Sequence, residues 1–327
     1  VSDAVEHATK IIDERSSPLT RIAEQPIILL DPIPAAGDFI NRTEHLEKIL
    51  GFLADHTRRL VIVQGLPGIG KTALTAKLIE AIGEEYKAIL WVICRADQAS
   101  PDILLAKLHT FFEERGEPGL SGIWNDPSAS LEIKINKLIR ILGKAHYLLV
   151  FDELQNWLPQ DSHGDLYEDL HPGLRQILVA ILNSAHRSKV ILISDQRLQL
   201  DPTTFKVPVG VTLERTLLGL DEASAIQFLH KTGLKTEDQE LLRRIVDYCD
   251  GNPHMLKIFS YLVSDLDRDP EELLTSHETE TKFSELVEAA NIGLSEESHS
   301  ILELLSILRL PLRRYQFQAL DVQFDTV

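Results

Sequence analysis

Cysteine is scarce. Only Cys94 and Cys249 occur, each inside an apolar stretch, which excludes a disulfide framework, suggests no zinc site and fits a reducing compartment. Long apolar runs are missing as well. None approaches the roughly 20 residues a membrane-spanning helix needs, and the N-terminus lacks the basic, apolar and small-residue order of a signal peptide. The expectation is a cytoplasmic chain with no membrane partner. Positive charge is in deficit, 33 Lys and Arg against 50 Asp and Glu, a net charge of −17. Such a surface repels a phosphate backbone, so non-specific nucleic-acid binding is disfavoured, with room left for a local basic groove. Internal repeats and low-complexity tracts are absent too.

What is present is ordinary globular material, 44% hydrophobic and 25% charged residues. A length of 327 residues exceeds the usual size of one core and predicts a principal domain with smaller ones attached. Val1 at the start, and Val327 soon after an apolar helical pattern, lead to the expectation of an excerpt from a longer protein.

Residues 1–38 read as an N-terminal linker: a short helix from Val5 to Arg15, then Pro26, Pro32 and Pro34. Asn41 and Glu44 are spaced as a capping pair before Leu46, Ile49, Leu50 and Leu53, which repeat at helical intervals. Four short apolar segments follow, Leu60–Gln64, Ala88–Cys94, Tyr147–Phe151 and Val190–Ser194, each too short for a buried helix. Helical stretches alternate with them: Thr72–Ile82, Pro101–Glu114, Ser130–Leu142 and Gly173–Ala185. That order predicts an α/β doubly wound parallel sheet, with Val211–Leu217 as a fifth strand. Leu158–Pro172 reads as a surface loop, and Lys144 and Lys189 as plain surface charges. Strand signals then give way to helical ones: Asp221 as a cap, Thr236 with Gln239 as a capping box, Gly251 as a stop and Pro253 in a first turn.

Two motifs carry chemistry. Leu60–Gln64 runs into Gly65-Leu66-Pro67-Gly68-Ile69-Gly70-Lys71-Thr72, which matches G-x-x-x-x-G-K-[ST] between a strand and a helix and predicts a P-loop NTPase. Its glycines let backbone amides curl around phosphates, and the following helix, through Ala73, adds the positive end of its dipole. Lys71 then reaches the β- and γ-phosphates of ATP or ADP, and the Thr72 hydroxyl ligates Mg²⁺. Tyr147–Glu153 places an acidic pair at the carboxyl end of a buried strand. Asp152 is the second candidate ligand for Mg²⁺, and Glu153 the group that orients and deprotonates the attacking water. Arg197, after Ser194-Asp195-Gln196, is the candidate for stabilising charge that develops in hydrolysis. An ordinary glycine-rich turn and solvated strand-end carboxylates are the plainer readings of these segments.

Taken in order, the motifs resemble those of STAND-class P-loop ATPases, and among them the NB-ARC-like switch proteins of immunity and cell death, over most of residues 39–310. Phe39-Ile40-Asn41-Arg42 is similar to the lead-in motif that lies against adenine, Leu90-Trp91-Val92 to the second-strand signature, and Cys249-Asp-Gly-Asn-Pro253 to the motif whose proline closes over adenine. The resemblance implies a P-loop nucleotide-binding domain at 39–212, a helical domain at 213–280 and the start of a truncated winged-helix domain at 281–327. It implies a slow, Mg-dependent ATPase acting as a signal-transduction switch, with ATP/ADP exchange driving homo-oligomerisation in defence or regulatory signalling. N-terminal effector and C-terminal sensor domains would lie outside this sequence. Two other readings stay open: a constitutive AAA-like motor or loader working on protein or nucleic acid, and a protein holding ADP for structure alone.

Overall fold

The computed structural model describes residues 40, 42–55, 57–113, 123, 126, 128–159, 165–166, 169–200 and 211–274. The linker at 1–38, Phe39, Asn41 and the winged-helix expectation at 281–327 lie outside them. The chain divides into two compact units, Val1–Leu220 and Asp221–Val327.

In the first unit the elements alternate as the hydrophobic pattern requires: α1 Thr43–Leu53, β1 Leu60–Gln64, α2 Lys71–Ile82, β2 Ala88–Ile93, α3 Pro101–Glu113, α4 Leu131–Leu142, β3 Tyr147–Asp152, α5 Pro172–Asn183, β4 Lys189–Ser194 and β5 Thr212–Thr216. The five strands form one parallel sheet in the order β2-β3-β4-β1-β5. β1, β3 and β4 are buried along their whole length because helices cover both faces of the sheet, which is why they are continuous apolar runs. Their two-residue period still sorts the side chains. Leu60, Ile62, Leu149, Phe151 and Leu192 join α3, α4 and α5 in one core, and Val61, Val63, Leu148, Val150, Ile191 and Ile193 join α1 and α2 in the other.

Helix starts follow local chemistry, at times one or two residues from the expected place. Ser130 caps α4 by accepting from the Ile133 amide at 3.4 Å. The Asn41–Glu44 capping pair is not what begins α1: Arg42 is the N-cap, and it makes no side-chain cap bond. Leu158–Pro172 is not wholly a surface loop, for Leu158, Leu166 and Leu170 are buried in the first core. Lys189 is likewise no surface charge. It is fully buried, and its ammonium donates to the backbone carbonyls of Asp55, at 2.7 Å, and Arg58, closing the turn after α1. Desolvation pushes its pKa down to about 8, against the raising effect of the Asp55 charge.

The described residues of the second unit, 221–274, are helical: α6 Glu222–Lys231, α7 Gln239–Tyr248, α8 Pro253–Ser264 and the single turn α9 Pro270–Leu273. Asp221 caps α6, accepting from the Ser224 amide at 3.0 Å. The Thr236–Gln239 box is replaced by Asp238, whose carboxylate accepts from the Glu240 and Leu241 amides. Thr236 sits two residues too early and instead accepts from the Asp238 amide. Gly251, at positive φ, ends α7 by donating to Val246 O, and Asn252 caps α8 with Pro253 in its first turn. Buried Phe228, Leu229, Leu242, Ile245, Leu256 and Phe259 form the shared interior of this unit.

Candidate functional site

Strand register assembles the site. β1 pairs with β4 so that Gln64 lies opposite Ser194, and β4 pairs with β3 so that Leu192 lies opposite Phe151. The residues that follow, Gly65, Asp195 and Asp152–Glu153, therefore leave the sheet at its carboxyl edge, where open α/β sheets place their ligands.

The phosphate loop begins where the backbone must turn with no room for a side chain. Gly65 has φ of +149°, and a Cβ there would meet Leu217 O at 2.6 Å. Leu217 is held that close because its amide donates to Gln64 O at 2.7 Å. Gly68 and Gly70 also take positive φ. Gly70 is the N-cap of α2 and offers no capping side chain, so acceptors for the first amides of α2 must come from outside the helix. Ile69 points into the core, while Leu66 stands 64% exposed beside exposed Pro67 and Gly68. Ala73 is half-buried in the first turn of α2.

Lys71 is buried, at 7% exposure, and its ammonium donates to Gly65 O at 2.8 Å and Leu66 O at 2.9 Å. Its ion-pair partner is Asp195, 2.5 Å away. One residue on, the Thr72 hydroxyl donates to the carboxylate of Asp152, 3.1 Å from Oδ2 and 3.3 Å from Oδ1. Asp152 is buried, and desolvation pushes its pKa up to about 6 against the lowering effect of the Thr72 bond.

Glu153 occupies the left-handed region, φ 58° and ψ 39°, which for a non-glycine residue stores strain. Its amide donates to Asp152 Oδ1 at 2.9 Å, and its carboxylate accepts from Asn156 Nδ2 at 3.2 Å. Partial desolvation, and secondly the negative charge of Asp195, raise its proton affinity above the ordinary glutamate range. Asn156 Nδ2 also donates to Cys94 O, and Trp157 Nε1 to Arg95 O, so the short 3₁₀ turn Leu154–Trp157 is latched to the exit of β2. Arg42 is buried and donates from Nη2 to Ile69 O at 3.1 Å, tying the start of α1 to the phosphate loop; Ile40, two residues earlier, is half-buried.

The structure thus brings Lys71, Thr72, Asp152, Glu153 and Arg42 around one loop. Arg197 is exposed after β4 and, among the described residues, makes no ion pair or hydrogen bond. Pro253 lies in the second unit, at the first position of α8. Phe39 falls outside the described residues. Three polar residues at this edge were not anticipated: Asp195, Gln155 and Asn156. Their one sequence signal is position, since each follows the end of a buried parallel strand.

Residues 38–176 match the family model of an AAA ATPase domain. An uncharacterized WD repeat-containing protein of Nostoc sp. is 25% identical over 242 residues, 71% of this chain and 18% of that protein. The disease resistance protein RRS1 of Arabidopsis thaliana is 26% identical over 208 residues, 62% of this chain and 13% of that protein. The chain thus spans 18% or less of the length of these curated relatives. Among solved structures, a Signal Transduction ATPase with Numerous Domains (STAND) protein with a tetratricopeptide repeat sensor, from Pyrococcus horikoshii, superposes with a TM-score of 0.53 at 16% identity, over 87% of this chain and 37% of that one. Cdc6p from Pyrobaculum aerophilum gives 0.50 at 16% identity, over 86% and 78%. These structures share the fold of P-loop ATPases, and the stretch similar to an AAA ATPase domain, residues 38–176, holds both the phosphate loop and the acidic strand end.

Proposed function

We propose that this ATPase is a nucleotide-operated switch: it binds ATP or ADP with Mg²⁺, hydrolyses ATP slowly, and changes its assembly state with the nucleotide it holds, in signalling. The observation that carries the catalytic half is the convergence of Lys71, Thr72, Asp152 and Glu153 at the ends of β1 and β3. Lys71 supplies the positive charge that draws the β- and γ-phosphates. Thr72 Oγ1 and the Asp152 carboxylate, already in contact, are the hard oxygen donors that Mg²⁺ takes in pairs beside phosphate. Held by these two residues, Mg²⁺ would supply positive charge to offset that of the phosphates. Glu153, with its raised proton affinity, accepts a proton from the attacking water and hands it on to solvent. Arg197, exposed beyond β4, is the candidate cation for charge developing on the γ-phosphate.

The switch half is supported by the kind of relatives the chain has, a signal-transduction ATPase and a plant disease resistance protein. Light scattering of the full-length protein with ADP and with a non-hydrolysable ATP analogue tests it. Different masses in the two nucleotides are expected, and equal masses would remove the switch. A second reading, an AAA-like motor acting on protein or nucleic acid, is favoured by the AAA match and the Cdc6p fold. It predicts fast steady-state turnover stimulated by DNA or a protein client.

A further inference from the structure

An ammonium has three N–H donors. At Lys71 all three have acceptors, Gly65 O, Leu66 O and Asp195 Oδ1. Phosphate oxygens can engage this ammonium only by displacing one of them. The two carbonyls belong to the phosphate loop, close to Lys71 in sequence. Asp195 comes from the end of a different strand, and it presents an anion, the charge type of the phosphate itself. The two therefore compete for one cation.

Asp195 is also built in place. Its Oδ2 accepts from Gln155 Nε2 at 3.1 Å, and its backbone amide donates to Gln155 Oε1 at 3.1 Å. This two-point contact fixes the carboxylate with Oδ2 on Gln155 and Oδ1 on Lys71. Lys71 is 7% exposed and Asp195 32%, so the pair is only partly screened by water and its attraction exceeds that of a surface ion pair. Strand register makes the arrangement possible, since β4 lies between β1 and β3 and its exit faces both the phosphate loop and the turn that carries Gln155.

We propose that Asp195 is a built-in competitor for phosphate at Lys71, held in position by Gln155, so that it lowers affinity for nucleoside di- and triphosphates and not for monophosphates. The inference rests on the reading of Lys71 as the ligand of the β-phosphate. A single α-phosphate sits on the amides at the start of α2 and does not need the ammonium, which is why it escapes the competition.

Calorimetric titration of the whole chain with ADP and with AMP tests this in the wild type, Asp195→Asn and Gln155→Ala. Asparagine keeps the shape of Asp195 and removes its charge. Asp195→Asn is expected to bind ADP about 10-fold more tightly, because the competent form of Lys71 is no longer a minor one, with AMP affinity unchanged. Gln155→Ala, which frees Asp195 without discharging it, should shift ADP in the same direction by a smaller factor, about 3-fold. Unchanged or weaker ADP binding in a folded Asp195→Asn protein overturns the proposal. So does an equal shift for AMP, which would place the effect elsewhere than at Lys71. If Asp195→Asn does not fold, Gln155→Ala decides alone, and no tightening for ADP overturns it. Wild-type binding that is lost in Lys71→Ala yet unaltered in Asp195→Asn sinks this proposal and leaves the phosphate site standing; a wild type that binds no ADP sinks both.

Discussion

Thr72 Oγ1 lies 3.1 Å from Asp152 Oδ2, joining the first turn of the helix after the phosphate loop to the last residue of the strand two places away in the sheet. The bond brings a hydroxyl and a carboxylate together in a place where the carboxylate is costly. Asp152 is buried, and its folded-state pKa of about 6 stands above an unfolded value near 3.8. The folded protein therefore holds the extra proton between those values, and stability falls as pH rises through that window and stays low above it. Removing the charge should reverse this. In the presence of a chelator, Asp152→Asn is expected to melt higher than wild type at pH 7.5, by no more than about 3 kcal/mol, and to match it near pH 4. Thermal melts at the two pH values check this, and equal differences at both would contradict it.

Glu153 contributes differently. Its left-handed backbone and its bond from Asn156 hold a carboxylate of raised proton affinity at the mouth of the site. Glu153→Gln should lower ATP turnover roughly 100- to 10,000-fold, the usual contribution of a positioned base, while ATP binding stays within about 3-fold of wild type. Single-turnover assays and titration separate the two. Unchanged turnover would remove Glu153 as the base.

Gly65 tests the loop without touching charge. A methyl group there would lie 2.6 Å from Leu217 O, at a φ that side chains rarely adopt. Gly65→Ala is expected to cost about 1–3 kcal/mol of stability and to weaken ADP binding, because the loop or the segment after β5 must shift. Chemical denaturation with parallel ADP titration gives both numbers.

Lys189 gives a prediction away from the site. Its buried ammonium satisfies two carbonyls, so Lys189→Met should destabilise the first unit by about 1–3 kcal/mol through those carbonyls left without donors. The pH signature has the opposite sign from that of Asp152. With a folded pKa near 8 and an unfolded one near 10.5, the unfolded chain holds more protons in that window, so wild-type stability should gain from Lys189 as pH rises through it. Denaturation curves at pH 7.5 and 9.5 for both proteins measure this, and a variant as stable as wild type would contradict the structural role.

These residues also mark what the sequence makes legible. Leu60–Gln64 and Tyr147–Asp152 are readable because a strand covered on both faces must be apolar throughout, and the phosphate loop because three glycines and a lysine at fixed spacing have few other uses. Lys189 was misread for the reason that lysines mostly reach water; only the three-dimensional placement of the Asp55 and Arg58 carbonyls shows why this one does not. Asp195 and Gln155 lie 40 residues apart, and their contact depends on β3 and β4 being neighbours with Phe151 opposite Leu192, a register that periodicity does not encode. The caps failed by small offsets. At α7 both Thr236 and Asp238 suit a cap, and the backbone chose the later one.

The central claim is that Gly65–Thr72 binds the phosphates of a nucleotide through Lys71. Calorimetric titration of wild type and Lys71→Ala with ADP and ATP in the presence of Mg²⁺ tests it most directly. Saturable binding to the wild type at one site, reduced about 100-fold or more in Lys71→Ala with no loss of folded structure, is the result predicted. Equal affinity in the two proteins would contradict it.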